Sequence, residues 1–107
     1  MKKRPIQHYQ ARARVAKALA HPSRLLILDA LAEKETCVCK LTELVGADQS
    51  TVSKHLAVLK QAGVIEDRKD GVMTFYRVKV CCLPKFWACI ESVLKENLKE
   101  QSAALGG

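Results

Sequence analysis

Several patterns with a known use are missing from this sequence of 107 residues. No apolar run approaches the roughly 18 residues that cross a bilayer, and no apolar segment follows the basic start at Met1–Pro5, so neither a membrane partner nor a secretory signal is expected. The five glycines form no GxGxxG or GxxxxGKS/T spacing, which argues against nucleotide binding. Because no CxxC motif occurs and no nucleophile–base pair stands out, we expect no enzyme and no organic cofactor.

Positive charge is in excess, and apolar residues are plentiful. The chain holds 18 Lys and Arg against 11 Asp and Glu, a formal net charge of +7, which predicts a polyanionic partner such as nucleic acid. Apolar residues make up 49%, enough for a core in one domain spanning residues 1–107. Dimerisation would help so small a domain to bury surface. Five cysteines without an export signal predict a reducing, cytoplasmic environment, where thiols serve metal binding or redox chemistry.

Hydrophobic periodicity predicts a mainly α (α+β) fold with about five helices. The helices are expected near residues 6–20, 22–34, 38–45, 49–61 and 84–103. Pro22 suits the first turn of the second helix, where its missing N–H costs nothing. Gly46 ends the third helix, and Asp48 is a good N-cap for the fourth. His21, at the break between the first two helices, is expected to act as a cap rather than as a metal ligand.

The apolar period changes from 3.6 to 2 after Gly63, which predicts a two-stranded β-hairpin. Its strands are expected at residues 64–68 and 72–80, around a turn at Lys69-Asp70-Gly71. The final helix carries an apolar stripe wider than one small protomer is expected to cover. The stripe therefore predicts a partner surface on that helix.

Two short helices joined by a three-residue turn and followed by a hairpin form a winged helix-turn-helix. On the fourth helix, Val52, Leu56 and Leu59 share one face and are expected to be buried. The opposite face and the amino end of this helix are polar, as a DNA-reading helix requires, and the hairpin supplies cations for the DNA backbone. The candidate DNA-contacting residues are Gln49, Ser50, Thr51, Ser53, Lys54, His55, Arg68, Lys69 and Arg77. His55 lies nearer the buried side, so packing and DNA contact both remain open for it.

Four segments of the chain resemble the ArsR/SmtB family of metal-responsive repressors. They are His21–Leu25, Thr36–Leu41, Asp48–Leu56 and Ala62–Ile65. The resemblance implies a homodimer built through the first and last helices. It also implies that the dimer represses its operon until an inducer binds. A two-fold dimer in turn implies a pseudo-palindromic operator of double-stranded DNA with half-sites about one helical turn apart.

Cys37 and Cys39 lie at the start of the third helix, where the helix dipole and the nearby Lys34 and Lys40 are expected to favour thiolates. Thiolates select thiophilic ions. In the family this Cys-Val-Cys is similar to the site of arsenite and antimonite sensors, in which a third cysteine stands three residues further on. Here that position is Thr42. The third ligand is then a hydroxide or one of Cys81, Cys82 and Cys89, and a separate site within those three is an alternative.

The resemblance and the cysteines together predict a repressor that As(III) or Sb(III) releases from DNA. The final helix lacks the histidines of a zinc or nickel site, and no cysteine precedes Cys37, as cadmium and lead sensors of the family would require. The alternative is a thiol-redox or persulfide-responsive repressor on the same fold, in which Cys37 is bridged to Cys81 or Cys82. Cys89 by itself fits a small core or interface residue.

Overall fold

The computed structural model describes residues 3–104, which form five helices and three strands. The helices are α1 (Ile6–Leu19), α2 (Pro22–Glu33), α3 (Val38–Val45), α4 (Gln49–Gln61) and α5 (Leu83–Ala104). The strands are β1 (Thr36–Cys37), β2 (Ile65–Asp70) and β3 (Met73–Val78). The predicted mainly helical winged helix-turn-helix is confirmed.

Local capping explains where the helices begin and end. His21 accepts a hydrogen bond at Nδ1 from the backbone N–H of Ser23 (3.1 Å), which confirms the predicted cap. Asp48 accepts from the backbone N–H of Thr51 (3.3 Å) at the start of α4. Gly46 takes a left-handed φ of 75° after α3, a conformation that favours glycine. The turn between α3 and α4 is therefore fixed by residues within it.

The sheet has one strand more than the sequence predicts. β2 and β3 form the expected antiparallel hairpin, but its first strand runs over Ile65–Asp70 rather than 64–68. Asp70 lies opposite Met73, so the turn is the two-residue loop at 71–72 rather than the predicted Lys69-Asp70-Gly71. The second strand ends at Val78 rather than at residue 80. On the other side of β3 lies β1, which gives the order β1-β3-β2 and corrects the two-stranded prediction. Two residues are too few to show an alternating pattern, so periodicity cannot detect β1.

The core lies between α2, α3, α4 and the base of the hairpin. Val52, Leu56 and Leu59 of α4 are fully buried, as their shared face predicts. They pack in one cluster with buried apolar side chains from the neighbouring elements. The other members are Ile27, Leu28, Leu31, Leu41, Val64, Ile65 and Leu83. Burial of this face leaves the opposite side of α4 in solvent.

Apolar surface on α1 and α5 is left uncovered in the protomer. Val93, Leu94 and Leu98 of α5 are between 50% and 65% exposed. A groove of 590 Å³ between the two helices is lined mainly by apolar residues, among them Val15 and Phe86. This is the surface that the sequence assigns to a partner subunit. Within residues 3–104, no helix combines the length and the apolar character needed to cross a membrane.

Candidate DNA-binding surface and cysteine site

The outward face of α4 carries the predicted base-reading residues. Gln49, Ser50, Thr51, Ser53 and Lys54 are all exposed, and they follow directly on the turn after α3. Their placement agrees with a helix whose amino end meets base edges. Hydrogen bonds from Thr51 lower the pKa of the Asp48 carboxyl below its usual value, so the N-cap is a carboxylate at neutral pH. A charged cap also suits the positive end of the helix dipole.

His55 is held by α2 and is only partly accessible. Arg24 donates through Nε to Nδ1 of His55 (3.2 Å), and the ring of His21 lies 4.4 Å from that of His55. Because Nδ1 accepts a hydrogen bond, the proton of the neutral ring belongs on Nε2. Burial, then the nearby His21 and Arg24, lower the pKa of His55. Packing therefore accounts for His55 in the free protein and leaves only Nε2–H as a donor toward DNA.

The lowered pKa of His55 predicts a loss of stability in mild acid. The ring is harder to protonate in the folded protein than in the unfolded chain, which protonates it near the ordinary value of 6.5. The unfolded state therefore binds more protons once the pH falls below that value, and the free energy of unfolding falls with it. We expect urea unfolding between about pH 7.5 and about pH 5.5 to show a smaller decrease for His55→Gln than for the wild type. Equal decreases in both proteins would contradict this assignment.

Two of the three predicted wing cations are paired with acidic side chains of the protein. Arg68 donates through Nε to Glu35 (2.9 Å), also contacts it through Nη2, and lies 4.8 Å above the ring of Phe75. Arg77 donates to Glu66 (2.7 Å), its direct partner in the β2–β3 register. Lys69 is exposed near the tip of the hairpin. The Glu66–Arg77 pair follows from the observed hairpin register, which differs from the register that the predicted turn at residues 69–71 implies, and the Glu35 contact depends on the unpredicted β1.

Cys37 and Cys39 come together at the junction of β1 and α3. Cys37 ends β1 and occupies the N-cap position of α3, and the two Sγ atoms are 3.1 Å apart. A hydrogen bond from Cys39, then one from the backbone N–H of Lys40, lowers the pKa of Cys37. The hydrogen bond with Cys37 raises the pKa of Cys39. The two pKa values therefore shift in opposite directions, so the pair does not favour two thiolates as expected from Lys34 and Lys40, and Cys37 is the more acidic thiol.

The remaining three cysteines are not gathered at this site. Cys81, Cys82 and Cys89 are all exposed, so Cys89 is not a core residue of the protomer. Within the described part of the chain, no three His, Cys, Asp or Glu side chains lie close enough to hold one metal ion. Cys37 pairs with Phe75, and β3 then leads away for roughly 10 Å before it ends at Val78. A third thiol at Cys37 and Cys39 would have to come from a second protomer or a rearranged chain.

The cysteine pair is joined to both parts of the DNA-binding surface. α3 begins at Val38 and leads through the turn at residues 46–48 into α4. β1 pairs with β3, so Cys37 lies opposite Phe75 of the wing. Glu35, two residues before Cys37, binds Arg68 on β2. A change in the backbone conformation at Cys37 can therefore shift both α4, the recognition helix, and the wing formed by β2 and β3.

Comparisons with known proteins agree with this arrangement. A family model described as "Bacterial regulatory protein, arsR family" matches residues 21–67, from the cap of α2 into β2. The chain is 40% identical over 74 residues to MJ1325 of Methanocaldococcus jannaschii, an uncharacterized HTH-type transcriptional regulator, covering 68% of this chain and 83% of that protein. It is 41% identical over 64 residues to CadC of Lactococcus lactis, a cadmium resistance transcriptional regulatory protein, covering 59% of this chain and 54% of CadC.

One solved structure shows a similar fold as a dimer. It is the solution structure of the homodimeric winged helix-turn-helix DNA-binding domain Mb0332 from Mycobacterium bovis. That chain is 33% identical, aligns with a TM-score of 0.77, and covers 94% of this chain and 93% of its own. Its arrangement matches the order of helices and hairpin described above.

Proposed function

Because the chain belongs to the ArsR family of bacterial regulatory proteins, and is thus a DNA-binding transcriptional repressor, we propose that As(III) or Sb(III) bound by Cys37 and Cys39 releases it from its operator. One observation carries the proposal. The two sulfur atoms lie 3.1 Å apart at the start of the helix that precedes the recognition helix.

The pair fits a thiophilic ion. Two bonds of about 2.3 Å from one ion can reach sulfur atoms that are 3.1 Å apart. Arsenite, As(OH)₃, would form two As–S bonds, and its two displaced hydroxyls would leave as water with the thiol protons. The lowered pKa of Cys37 favours this attack, because the thiolate is the nucleophile.

A hydroxide is the simplest third ligand within one protomer. Thr42 stands where arsenite sensors of the family carry their third cysteine, and its hydroxyl donates to the Val38 carbonyl inside α3 (2.8 Å). The threonine thus has an intrahelical partner. Cys81, Cys82 or Cys89 would complete a three-sulfur site only if a partner protomer brought one of them near.

The site can act on DNA binding through the backbone that it caps. Binding of Cys37 and Cys39 to one arsenic or antimony atom would restrict the backbone of the N-cap residue and of the first turn of α3. α3 leads into α4, and β1 leads into the wing through Phe75. Allosteric coupling is typically about 1–3 kcal/mol, which would weaken operator binding roughly 5- to 150-fold.

The operator-binding form is proposed to be a homodimer. The uncovered apolar faces of α1 and α5 provide a surface for a second copy, and the similar domain Mb0332 is homodimeric. Two recognition helices related by a two-fold axis fit a pseudo-palindromic operator with half-sites about one helical turn apart.

The ligand set favours arsenic or antimony over other ions. CadC is named for cadmium resistance, but no cysteine precedes Cys37 in this chain to add N-terminal thiolates. The final helix carries no histidine, so it lacks the donors of a zinc or nickel site. Cys37 and Cys39, whose sulfur atoms lie 3.1 Å apart, are therefore the proposed inducer site, and a site within Cys81, Cys82 and Cys89 is the alternative.

The test is a titration of the reduced protein on a fluorescent fragment of its own promoter. Arsenite, zinc, cadmium and polysulfide are added separately while anisotropy reports release. We expect arsenite to release the DNA near one equivalent per protomer, with a roughly 5- to 150-fold weaker affinity, and zinc to have little effect. Release by polysulfide and not by arsenite would replace this proposal with the persulfide-responsive alternative. Absence of DNA binding would overturn both.

A further inference from the structure

The positive charge of the chain is concentrated at its N-terminal end. The first 28 residues hold seven Lys and Arg and no Asp or Glu, because the first acidic residue is Asp29. The other eleven basic residues are matched in number by all eleven acidic ones. The whole net charge of +7 thus belongs to α1, the start of α2 and the residues before them. The part with the recognition helix and the wing has no net charge.

This distribution leaves the predicted DNA-reading face short of cations. Arg68 is paired with Glu35, and Arg77 with Glu66. Lys60, at the end of α4, lies 3.0 Å from Asp67. The exposed cations that remain among the candidate contacts are Lys54 and Lys69. Because neutralised phosphates supply most non-specific affinity for DNA, further cations are needed elsewhere.

A basic groove lies where α1 meets α4. The groove has a volume of 590 Å³, and its polar lining is Arg14, Lys17, Arg24 and Gln61. Alanine and valine side chains form the rest of its wall, and no acidic residue lines it. Gln61 is the last residue of α4 and lies on the outward side of that helix with Lys54, so the groove continues the proposed DNA-facing surface.

The cations of this groove are not neutralised by the protein. Among residues 3–104, no salt bridge involves Arg14, Lys17 or Arg24, whereas the salt bridges present all lie between positions 35 and 77. Arg24 is fixed in place, because it donates to His55 and to the Ala18 carbonyl (3.2 Å each). Those bonds use Nε and Nη1, which leaves the Nη2 donors for a ligand in the groove.

We propose that this groove binds the phosphate backbone of DNA beside the bases that α4 faces. Arg14 and Lys17 are exposed on successive turns of α1 and would each neutralise a phosphate. Arg24, held by its bonds to His55 and Ala18, adds fixed donors to the groove wall. The inference rests on the proposed operator binding and adds α1 to the DNA-binding surface. Because phosphate contacts carry no sequence information, the groove contributes equally on any duplex.

The test is the salt dependence of DNA binding by Arg14→Gln/Lys17→Gln. Each lost phosphate contact lowers the slope of log K against log salt by about 0.9, so we expect a decrease of about 1.8 per protomer. The decrease should be the same on the promoter fragment and on a random duplex of equal length. Both substitutions are at exposed positions, so circular dichroism and the elution volume should stay those of the wild type.

The matched control is Lys95→Gln/Lys99→Gln, which removes two charges from the side of α5 opposite its apolar stripe. We expect it to keep the wild-type slope, as should Arg14→Lys/Lys17→Arg, which retains the groove charges. Equal decreases in the groove and control variants would show that net charge alone matters and would overturn the proposal. An unchanged slope in the groove variant would contradict phosphate binding by the groove and leave the proposed operator binding intact. A wild type that binds neither duplex would overturn operator binding as well.

Discussion

Substitution Cys37→Ser should leave operator binding at the wild-type level and abolish release by arsenite. Serine is close to cysteine in shape and can still stand at an N-cap, so α3 should form as before. It cannot supply a thiolate, and Cys39 alone would then hold arsenic by one bond. The wild type should lose affinity roughly 5- to 150-fold on saturation with arsenite, and the variant should lose none. Anisotropy titrations of both proteins on the same promoter fragment measure the difference.

Two control variants locate the site independently. Cys89→Ser, and the double substitution Cys81→Ser/Cys82→Ser, change exposed cysteines outside the Cys37–Cys39 pair. We expect both to respond to arsenite like the wild type if a hydroxide completes the site. Loss of the response in Cys89→Ser would assign the third ligand to Cys89, and loss in the double variant would assign it to Cys81 or Cys82. Full release of Cys37→Ser by arsenite would instead place the inducer site away from α3.

Substitution Leu56→Ala should lower the free energy of unfolding by about 2–5 kcal/mol. Leu56 is fully buried on α4 in the core cluster that also holds Leu28, Leu41 and Leu59. Its truncation removes apolar contacts and leaves a cavity in a region packed from α2, α3 and α4. A loss of this size is a large share of the roughly 5–15 kcal/mol typical of a domain. Urea unfolding at a fixed protomer concentration measures it.

Lys54→Ala is the matched control on the same helix. Lys54 is exposed on the proposed DNA-facing side, so its loss should change stability by less than about 0.5 kcal/mol while weakening DNA binding. Leu56→Ala should do the reverse at low temperature, where the fold persists: it should retain most DNA affinity but unfold at lower urea concentration. A change below about 1 kcal/mol for Leu56→Ala would contradict the described core.

The order of helices and the hairpin could be predicted because their signals are local. α3 and α4 have the predicted bounds, Val38–Val45 and Gln49–Gln61. The caps at His21 and Asp48 each act on a backbone N–H two or three residues away. The hairpin is set by a glycine in its two-residue loop, where φ is 63°. Such interactions depend on a few neighbouring residues, so the sequence displays them directly.

The candidate site was predictable in its residues and not in their surroundings. The outward face of α4 follows from helical periodicity, and the family resemblance singled out Cys37 and Cys39. Side chains two positions apart on a helix do not face each other, so the contact between the two sulfur atoms depends on the extended backbone of Cys37 at the N-cap. The opposite pKa shifts of the two cysteines could not be predicted, because they depend on which sulfur donates a hydrogen bond to the other. The sequence does not predict β1, because two residues are too few to show an alternating pattern. The contact between Glu35 and Arg68 could therefore not be predicted either.

The sequence by itself determined the helices, the caps, the hairpin, the buried face of α4 and the excess of positive charge near the N-terminus. Only the tertiary structure decided which basic side chains are paired within the protein and which remain available to bind DNA. It joins Arg24 to His55 across 31 positions and Glu35 to Arg68 across 33, and it forms a basic groove from α1, α2 and α4. The reason is physical: local structure depends on torsions and hydrogen bonds within a few residues. The pairing and burial of a charged side chain depend on which distant segments the fold brings against it.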